Sequence, residues 1–268
     1  MTKNNIKELS IQVNLNGLSF CILNRTSNTI EFLNHLPFEH KLTPFDVLNR
    51  LKTELSSNTV FSDEFNSVIV IHQNELASLV PKTLYDENHK VDYLKFNAKI
   101  LKTDFITQDE IAINDSINVY IPYVNINNYI FETFGAFVYK HSSTVLVDTI
   151  LQKYSVKETP EVYININSST IEVCVVDNKQ LQLFNVFEYH SKEDFIYYIL
   201  FVFEQLKLDA EVTQIKLSGS IKKDDELFNI LYTYIRHVDI IKPEFSFNFS
   251  VGIDKQNLHN HYLILSSL

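Results

Sequence analysis

One order of elements occurs twice along this chain, and that doubling limits the fold more than any other feature. In the first half, Leu9, Ile11, Val13 and Leu15 alternate with polar residues, which predicts a strand. Asn16-Gly17 follows, a strong hairpin signal, and Leu18–Leu23 and Thr29–Leu33 read as two further strands. Pro44 opens a helix over Pro44–Leu55 with Phe45, Leu48, Leu51 and Leu55 on one face. Ser67–Ile71 reads as a short buried strand and Ile117–Tyr123 as another. A helix over Asn125–Phe134 stops at Gly135, AFVYK is a strand, and Ser142 or Ser143 is placed to cap a helix over Thr144–Tyr154. After a linker near 155–160 the order returns. Val162–Ile166, Thr170–Val176 and Gln180–Phe187 are strands, Lys192–Leu206 a helix opened by a Ser191/Asp194 capping pair, QIKLSG a strand, Asp224–Ile235 a helix and Val238–Ile241 a short strand. HNHYLILSSL reads as a short closing helix.

Three hairpin strands followed by right-handed crossovers make a mixed sheet. The expectation is therefore an α/β protein of two similar domains, 1–157 and 158–268, each with a mixed five-stranded sheet and helices, and with a central cleft between them, the usual place for a ligand. Pro81–Ser116 has no counterpart in the second half and reads as an insertion, with a helix near Tyr93–Leu101 and a strand around Phe105–Ile113. Two short stretches mark the repeat. VNLNG at Val13–Gly17 and ININS at Ile164–Ser168 both alternate an apolar residue with Asn before a turn, and each sits ahead of a strand cysteine, Cys21 or Cys174. The second turn is two residues longer when counted from Asn to Cys.

Composition removes several functional classes. With 23 basic and 33 acidic residues the net charge is −10, so neither nucleic acid nor an anionic membrane surface is an expected partner. The longest apolar run, FIYYILFVF at Phe195–Phe203, is less than half a bilayer crossing, and Met1–Leu9 does not read as a signal peptide. Two cysteines within strands fit reduced, buried thiols and a cytoplasmic protein.

The doubled order resembles the actin-like ATPase fold of actin, sugar kinases and the Hsp70 chaperones, which is built from two ribonuclease H-like domains, and most of all its bacterial division and pilus-assembly branch. IKLSGSI at Ile215–Ile221 is similar to that superfamily's adenosine segment, DDELFNILYTYIRHVDIIKP to the helix and strand after it, and NHYLILSSL to its final helix. The whole chain is also similar to an uncharacterised bacterial domain-of-unknown-function family with that fold. In the superfamily each half opens with apolar-Asp-apolar-Gly-Thr/Ser, where the Asp serves Mg²⁺ and the small residues let backbone N–H groups wrap phosphate. By this resemblance the Asp positions are Asn14 and Asn165, the Gly positions Asn16 and Asn167, and the hydroxyl positions Gly17 and Ser168, while Gly219 is kept and Ser220 replaces a second Gly. These eight residues are the candidate, degenerate nucleotide site. An amide binds Mg²⁺ more weakly than a carboxylate and cannot act as a base toward water.

Other constellations read as ordinary structure. His259 and His261 fit an exposed polar turn, since no further zinc ligand matches them; His35 and His40 fit surface positions near a helix entry. Asp224-Asp225-Glu226 suits a helix N-terminus, and Lys222-Lys223 a solvated loop. The helix Lys192–Leu206, apolar nearly all round, is expected to be buried on several sides, with an interaction surface as the alternative. The favoured function is a non-enzymatic binding or scaffold protein, a pseudo-ATPase without cofactor or metal, taking a protein partner or small ligand. The alternative is an atypical ATP-binding protein, ATPase or phosphotransferase that draws a carboxylate from Glu172, Glu188 or Asp177.

Overall fold

The computed structural model describes residues 5–95, 100–101 and 103–268. The first half contains β1 (Lys7–Asn14), β2 (Gly17–Asn24), β3 (Thr29–Pro37), α1 (Pro44–Ser57) and β4 (Ser67–His72). After β5 (Ala77–Pro81), α2 (Lys90–Leu94), β6 (Thr107–Ile111) and β7 (Ser116–Tyr120) it resumes with α3 (Val124–Phe134), β8 (Val138–His141) and α4 (Ser142–Lys153). The second half has β9 (Glu161–Ile166), β10 (Thr170–Asp177), β11 (Gln180–Glu188), α5 (Lys192–Gln205), β12 (Gln214–Gly219), α6 (Glu226–Tyr234) and β13 (His237–Ile240), followed by β14 (Asn248–Phe249) and α7 (Tyr262–Leu265).

The strand orders are β3-β2-β1-β4-β8 and β11-β10-β9-β12-β13, the same arrangement twice. In each, the first three strands form antiparallel hairpins, and the fourth and fifth join the first in parallel. The first sheet departs from the expected five strands. Asn248 and Phe249 of β14 return from the second half and pair in parallel with Thr29 and Ile30, giving six. The third sheet, β5-β7-β6, is the insertion. It runs from Ala77 to Tyr120, wider than the expected 81–116, and so takes in the strand at Ile117. The expected helix near Tyr93–Leu101 is the shorter and earlier α2, which ends at Leu94; of the rest of that range, residues 96–99 lie outside the described residues and Ile100 and Leu101 are not helical.

Each sheet has a private core on its outer face. Val47, Leu51 and Leu55 of α1 and Ile126 and Ile130 of α3 cover the first sheet; Phe45, expected on that face, is exposed because Val47 takes the inward position. Phe195, Ile199 and Val202 of α5 and Phe228 and Leu231 of α6 cover the second. Helix α5 is buried on one side only. Tyr197 and Phe201 stack on each other at the surface, so its all-round apolar character reflects aromatic pairing in solvent as well as core. The inner faces share a third core, in which α4 and α7 pack between Cys21, Leu23 and Ile30 of one sheet and Tyr163, Cys174 and Val176 of the other.

Helix ends follow capping chemistry. Thr43 accepts from the Asp46 amide ahead of Pro44, and Ser191 accepts from the Asp194 amide while Asp194 accepts from that of His190. For α4 the cap is His141, whose Nδ1 accepts from the Ser143 amide, in place of the expected serines. A neutral imidazole nitrogen supplies the same acceptor as a hydroxyl.

Candidate functional site

The two hairpin turns meet across the cleft. Asn14 folds its side chain onto the turn, Oδ1 accepting from the Asn16 amide at 2.8 Å, an Asx turn that closes the hairpin over Leu15 and Asn16. Gly17 is needed for a reason other than turn conformation: a Cβ there would stand 2.9 Å from the Leu36 carbonyl oxygen and 3.0 Å from the His35 ring. From the turn tip, Asn16 Nδ2 donates to Ser169 Oγ at 2.8 Å, bridging the first half to the second. Gly219, at φ +83°, lies where a Cβ would come within 2.1 Å of the Ile166 carbonyl oxygen, so no other residue fits the close crossing of β12 on β9.

Strand register corrects how the two halves superpose. Gln12 lies opposite Ser19 on β1–β2, and Asn165 opposite Glu172 on β9–β10. Cys21 pairs with Ser10 and Cys174 with Tyr163. The Val13 carbonyl accepts from Gln73 N, and the Ile166 carbonyl from Ser220 N. The counterpart of Asn165 is therefore Gln12, and that of Asn167 is Asn14, a shift of two residues from the match of VNLNG with ININS. The Asn167 amide donates to the Thr170 carbonyl, so the two turns are equal in length, Leu15–Asn16 and Ser168–Ser169; the longer Asn-to-Cys spacing of the second half comes from counting from Asn165, the counterpart of Gln12, and not from a longer turn. Both strand positions still carry an amide.

Beneath the turns is a buried polar network centred on Glu172. Its Oε1 accepts from Ser142 Oγ at 2.6 Å; its Oε2 accepts from Gln73 Nε2 at 2.8 Å and Asn165 Nδ2 at 2.7 Å, with Asn167 Nδ2 at 3.5 Å. Gln73 also donates to Asn167 Oδ1 and accepts from Gln12 Nε2, while Ser218 Oγ donates to Asn165 Oδ1. Burial pushes the Glu172 carboxyl above its ordinary range, against the four donors that favour its charged form. The network draws on β1, the residue after β4, α4, β9, β10 and β12, so it joins both halves at the floor of the cleft.

Above it, Asn14, Asn16, Gly17, Asn167, Ser168 and Ser220 line a pocket of about 110 Å³ together with Gln12, Ser19, His35 and Gln73. Six of the eight expected site residues are thus at one surface. Asn165 and Gly219 lie below it, with Asn165 Oδ1 3.0 Å from where a Gly219 Cβ would be. The lining offers amides, hydroxyls and an imidazole and no carboxylate, which suits hydrogen bonding to a neutral group and gives a cation nothing anionic to bind. Of the alternative carboxylates, Glu172 has both oxygens engaged, Glu188 is paired with Lys41 at 3.1 Å on the surface, and Asp177 sits at the far end of β10. Sequence reasoning missed Gln12, Gln73, Ser142 and Ser169. Only Gln12 had a signal, the polar stripe Ser10, Gln12, Asn14 that alternates with the core residues of β1.

Among the described residues no group of three His, Cys, Asp or Glu side chains is arranged to hold a metal. His259 and His261 correct the expectation of an exposed turn. His259 Nε2 donates to the Ile221 carbonyl, and burial holds the His261 ring down at about 4. Cys21 and Cys174 are free and buried in the shared core, and burial pushes the Cys21 thiol up to about 12. Asp225 caps α6 by accepting from the Phe228 amide, and Lys222 and Lys223 are exposed. No helix among the described residues is long and apolar enough to cross a membrane.

Two matching mixed sheets around shared helices, with hairpin turns closing on a cleft, define an actin-like fold, consistent with two ribonuclease H-like halves. A Bacteroides thetaiotaomicron protein with an actin-like ATPase fold and unknown function superposes with a TM-score of 0.83 at 21% identity, over 99% of this chain and 97% of that one. The chain belongs to the family described as protein of unknown function (DUF3822), whose pattern matches residues 1–238. A structure of the PilM–PilN type IV pilus biogenesis complex matches with a TM-score of 0.63 at 8% identity, over 97% of this chain and 98% of that one. The ethanolamine utilization protein EutJ from Carboxydothermus hydrogenoformans matches at 0.52 and 5%, over 99% and 91%. No curated protein matches the sequence.

Proposed function

We propose that this protein is a non-enzymatic binding or scaffold protein in which the cleft of an actin-like fold has become an internal joint. One observation carries the reading: Glu172, the carboxylate at the cleft floor, has both oxygens engaged by protein donors, Ser142 on one and Gln73 and Asn165 on the other. A buried carboxylate held on both oxygens by protein donors would have to give up those hydrogen bonds to bind Mg²⁺ or to activate a water. The open pocket above it, about 110 Å³, is below the range of about 300–1,000 Å³ usual for small-molecule sites. Use of the fold to hold a protein partner is supported by its occurrence in the PilM–PilN complex.

The test is a thermal-shift titration with ATP and ADP, with and without Mg²⁺. Binding to the native state stabilises by mass action, about 2.7 kcal/mol at one hundred times the dissociation constant. The expected result is an unchanged Tm at millimolar nucleotide. A Mg²⁺-dependent rise with ATP would overturn the scaffold reading in favour of an atypical ATPase.

A further inference from the structure

The groove that runs between the insertion and the second half has two unsatisfied walls. Strand β5 ends the insertion sheet, and β11 ends the second-half sheet. No backbone hydrogen bond joins the outer edge of either to another strand among the described residues. Two adjoining cavities, about 640 Å³ and about 340 Å³, share Leu79 and Phe184 and together follow both edges. Pro81 and Val80 lie toward Gln180 and Leu181, and Ala77 and Ser78 toward Asn185 and Val186, so the walls run antiparallel. Five residues of β5 span about 17 Å at roughly 3.3 Å per residue.

We propose that this groove takes an extended segment of a partner polypeptide, five to six residues long, as a strand between β5 and β11. The proposal rests on the binding-protein reading and names the class of partner. Three features fix the chemistry. Each wall presents backbone N–H and C=O groups with no strand partner, which another backbone satisfies on both sides at once; on β11 the Val186 amide and the Gln180 carbonyl are meanwhile held by the Asn185 and Gln182 side chains, which an incoming strand displaces. Leu79, Leu181 and Phe184 pack against the shared core from the groove, so the segment is apolar at alternate positions. Side chains along Ala77–Pro81 and Gln180–Val186 carry no charge; Lys179 and Asp115 stand near one end and Glu75 near the other. A charge in the middle of the segment would find no partner, so it is uncharged there.

The first half shows the same addition made internally. Its edge strand, β3, occupies the place of β11, and β14 of the same chain pairs along it at Thr29 and Ile30. Edge strands are commonly protected by Lys, Pro or a charge. Pro37 closes β3, whereas β11 has no Pro, Lys or Arg anywhere and no charge before Glu188. A bulge at Gln182 bends it without covering it.

The test uses the full chain and a display library of random twelve-residue peptides. Selected peptides are expected to alternate apolar and polar residues, to lack charge in the middle, and to slow amide exchange in β5 and β11. N-methylation of one edge-facing amide, which keeps every side chain, is expected to weaken binding about fivefold, the loss of one hydrogen bond. Gln182→Pro on the exposed edge is expected to weaken it at least tenfold; should that variant misfold, Gln182→Glu serves as the second edge variant. Failure to select any binder, protection at another surface, or indifference to both N-methylation and the Gln182 variants would overturn the proposal. None of these outcomes bears on the nucleotide titration, so failure of the groove and failure of the scaffold reading are separate results.

Discussion

The two halves place different chemistry at matching positions. Where the first has Gln12 opposite Ser19, the second has Asn165 opposite Glu172; where the first ends its fourth strand in His72, the second ends in Gly219. The frame is the same, and the polar atoms at the joint differ. The second half supplies the buried acceptor, and the first supplies donors in Gln73 and Ser142. A duplicated fold thus gains a fixed junction by making its copies complementary, one accepting and the other donating.

The sharpest way to break that asymmetry is to remove the acceptor. Glu172→Ala leaves three buried donors without a partner and should cost roughly 3–5 kcal/mol in urea denaturation. The counterpart Ser19→Ala, which loses one contact to His35, should cost about 1 kcal/mol. Equal losses would mean that the junction does not depend on Glu172.

The strand ends give the next contrast. Gly219→Ala forces a Cβ to within 2.1 Å of a carbonyl at a positive φ, whereas Gly17→Ala meets one at 2.9 Å without positive φ. The expected losses are roughly 3 and 1 kcal/mol, read from the same denaturation curves.

Acid should act mainly through the first half. His72 accepts from the Tyr123 amide through Nδ1 and donates to Asn127 through Nε2, and burial holds it down at about 4 from 6.5. Burial likewise holds His141 at about 3. The third such ring, His261 at about 4, belongs to the second half. Below pH 6.5 the unfolded chain takes up protons that these rings refuse, so stability falls as pH drops from 6.5 toward 4, by up to about 1.4 kcal/mol per pH unit for each. Glu172 opposes this: its raised pKa adds stability at low pH that is lost as pH rises through the folded value. Burial also lowers the His35 ring and raises the Asp109 carboxyl, so four rings stand against two carboxyls; urea midpoints should fall between pH 7 and 5, and His72→Gln should flatten that slope.

The smallest effect is at the turn tips. Asn16→Ala and Ser169→Ala should each cost about 1 kcal/mol, and the double variant little more than either single one. Full additivity would show that the bridge contributes nothing across the cleft.

The doubled sheet was legible because it rests on local signals: period-two runs at Leu9–Leu15 and Gln180–Phe187, Pro44 and Ser191 at helix starts, and Gly135 at a helix end. The site was legible only in part. VNLNG and ININS look alike, but register sets Gln12, not Asn14, against Asn165, and the true offset between two turns of equal length is invisible without the ladder. Gln73 and Ser142 reach Glu172 from 99 and 30 residues away, and no local pattern encodes such a pairing. Strand β14 went unread because two paired residues are too short to show alternation.

That strand has a consequence for how the chain reaches its native state. The first sheet takes its sixth strand from residues 248–249, and the core between the sheets takes α7 from 262–265. The first half therefore waits, incomplete along β3 and with its inner face covered only in part, by α4, until the second has been synthesised. Closing contacts so distant in sequence makes the folding step slow, and during that wait the exposed β3 edge is where the nascent chain is most open to misassembly or to a chaperone.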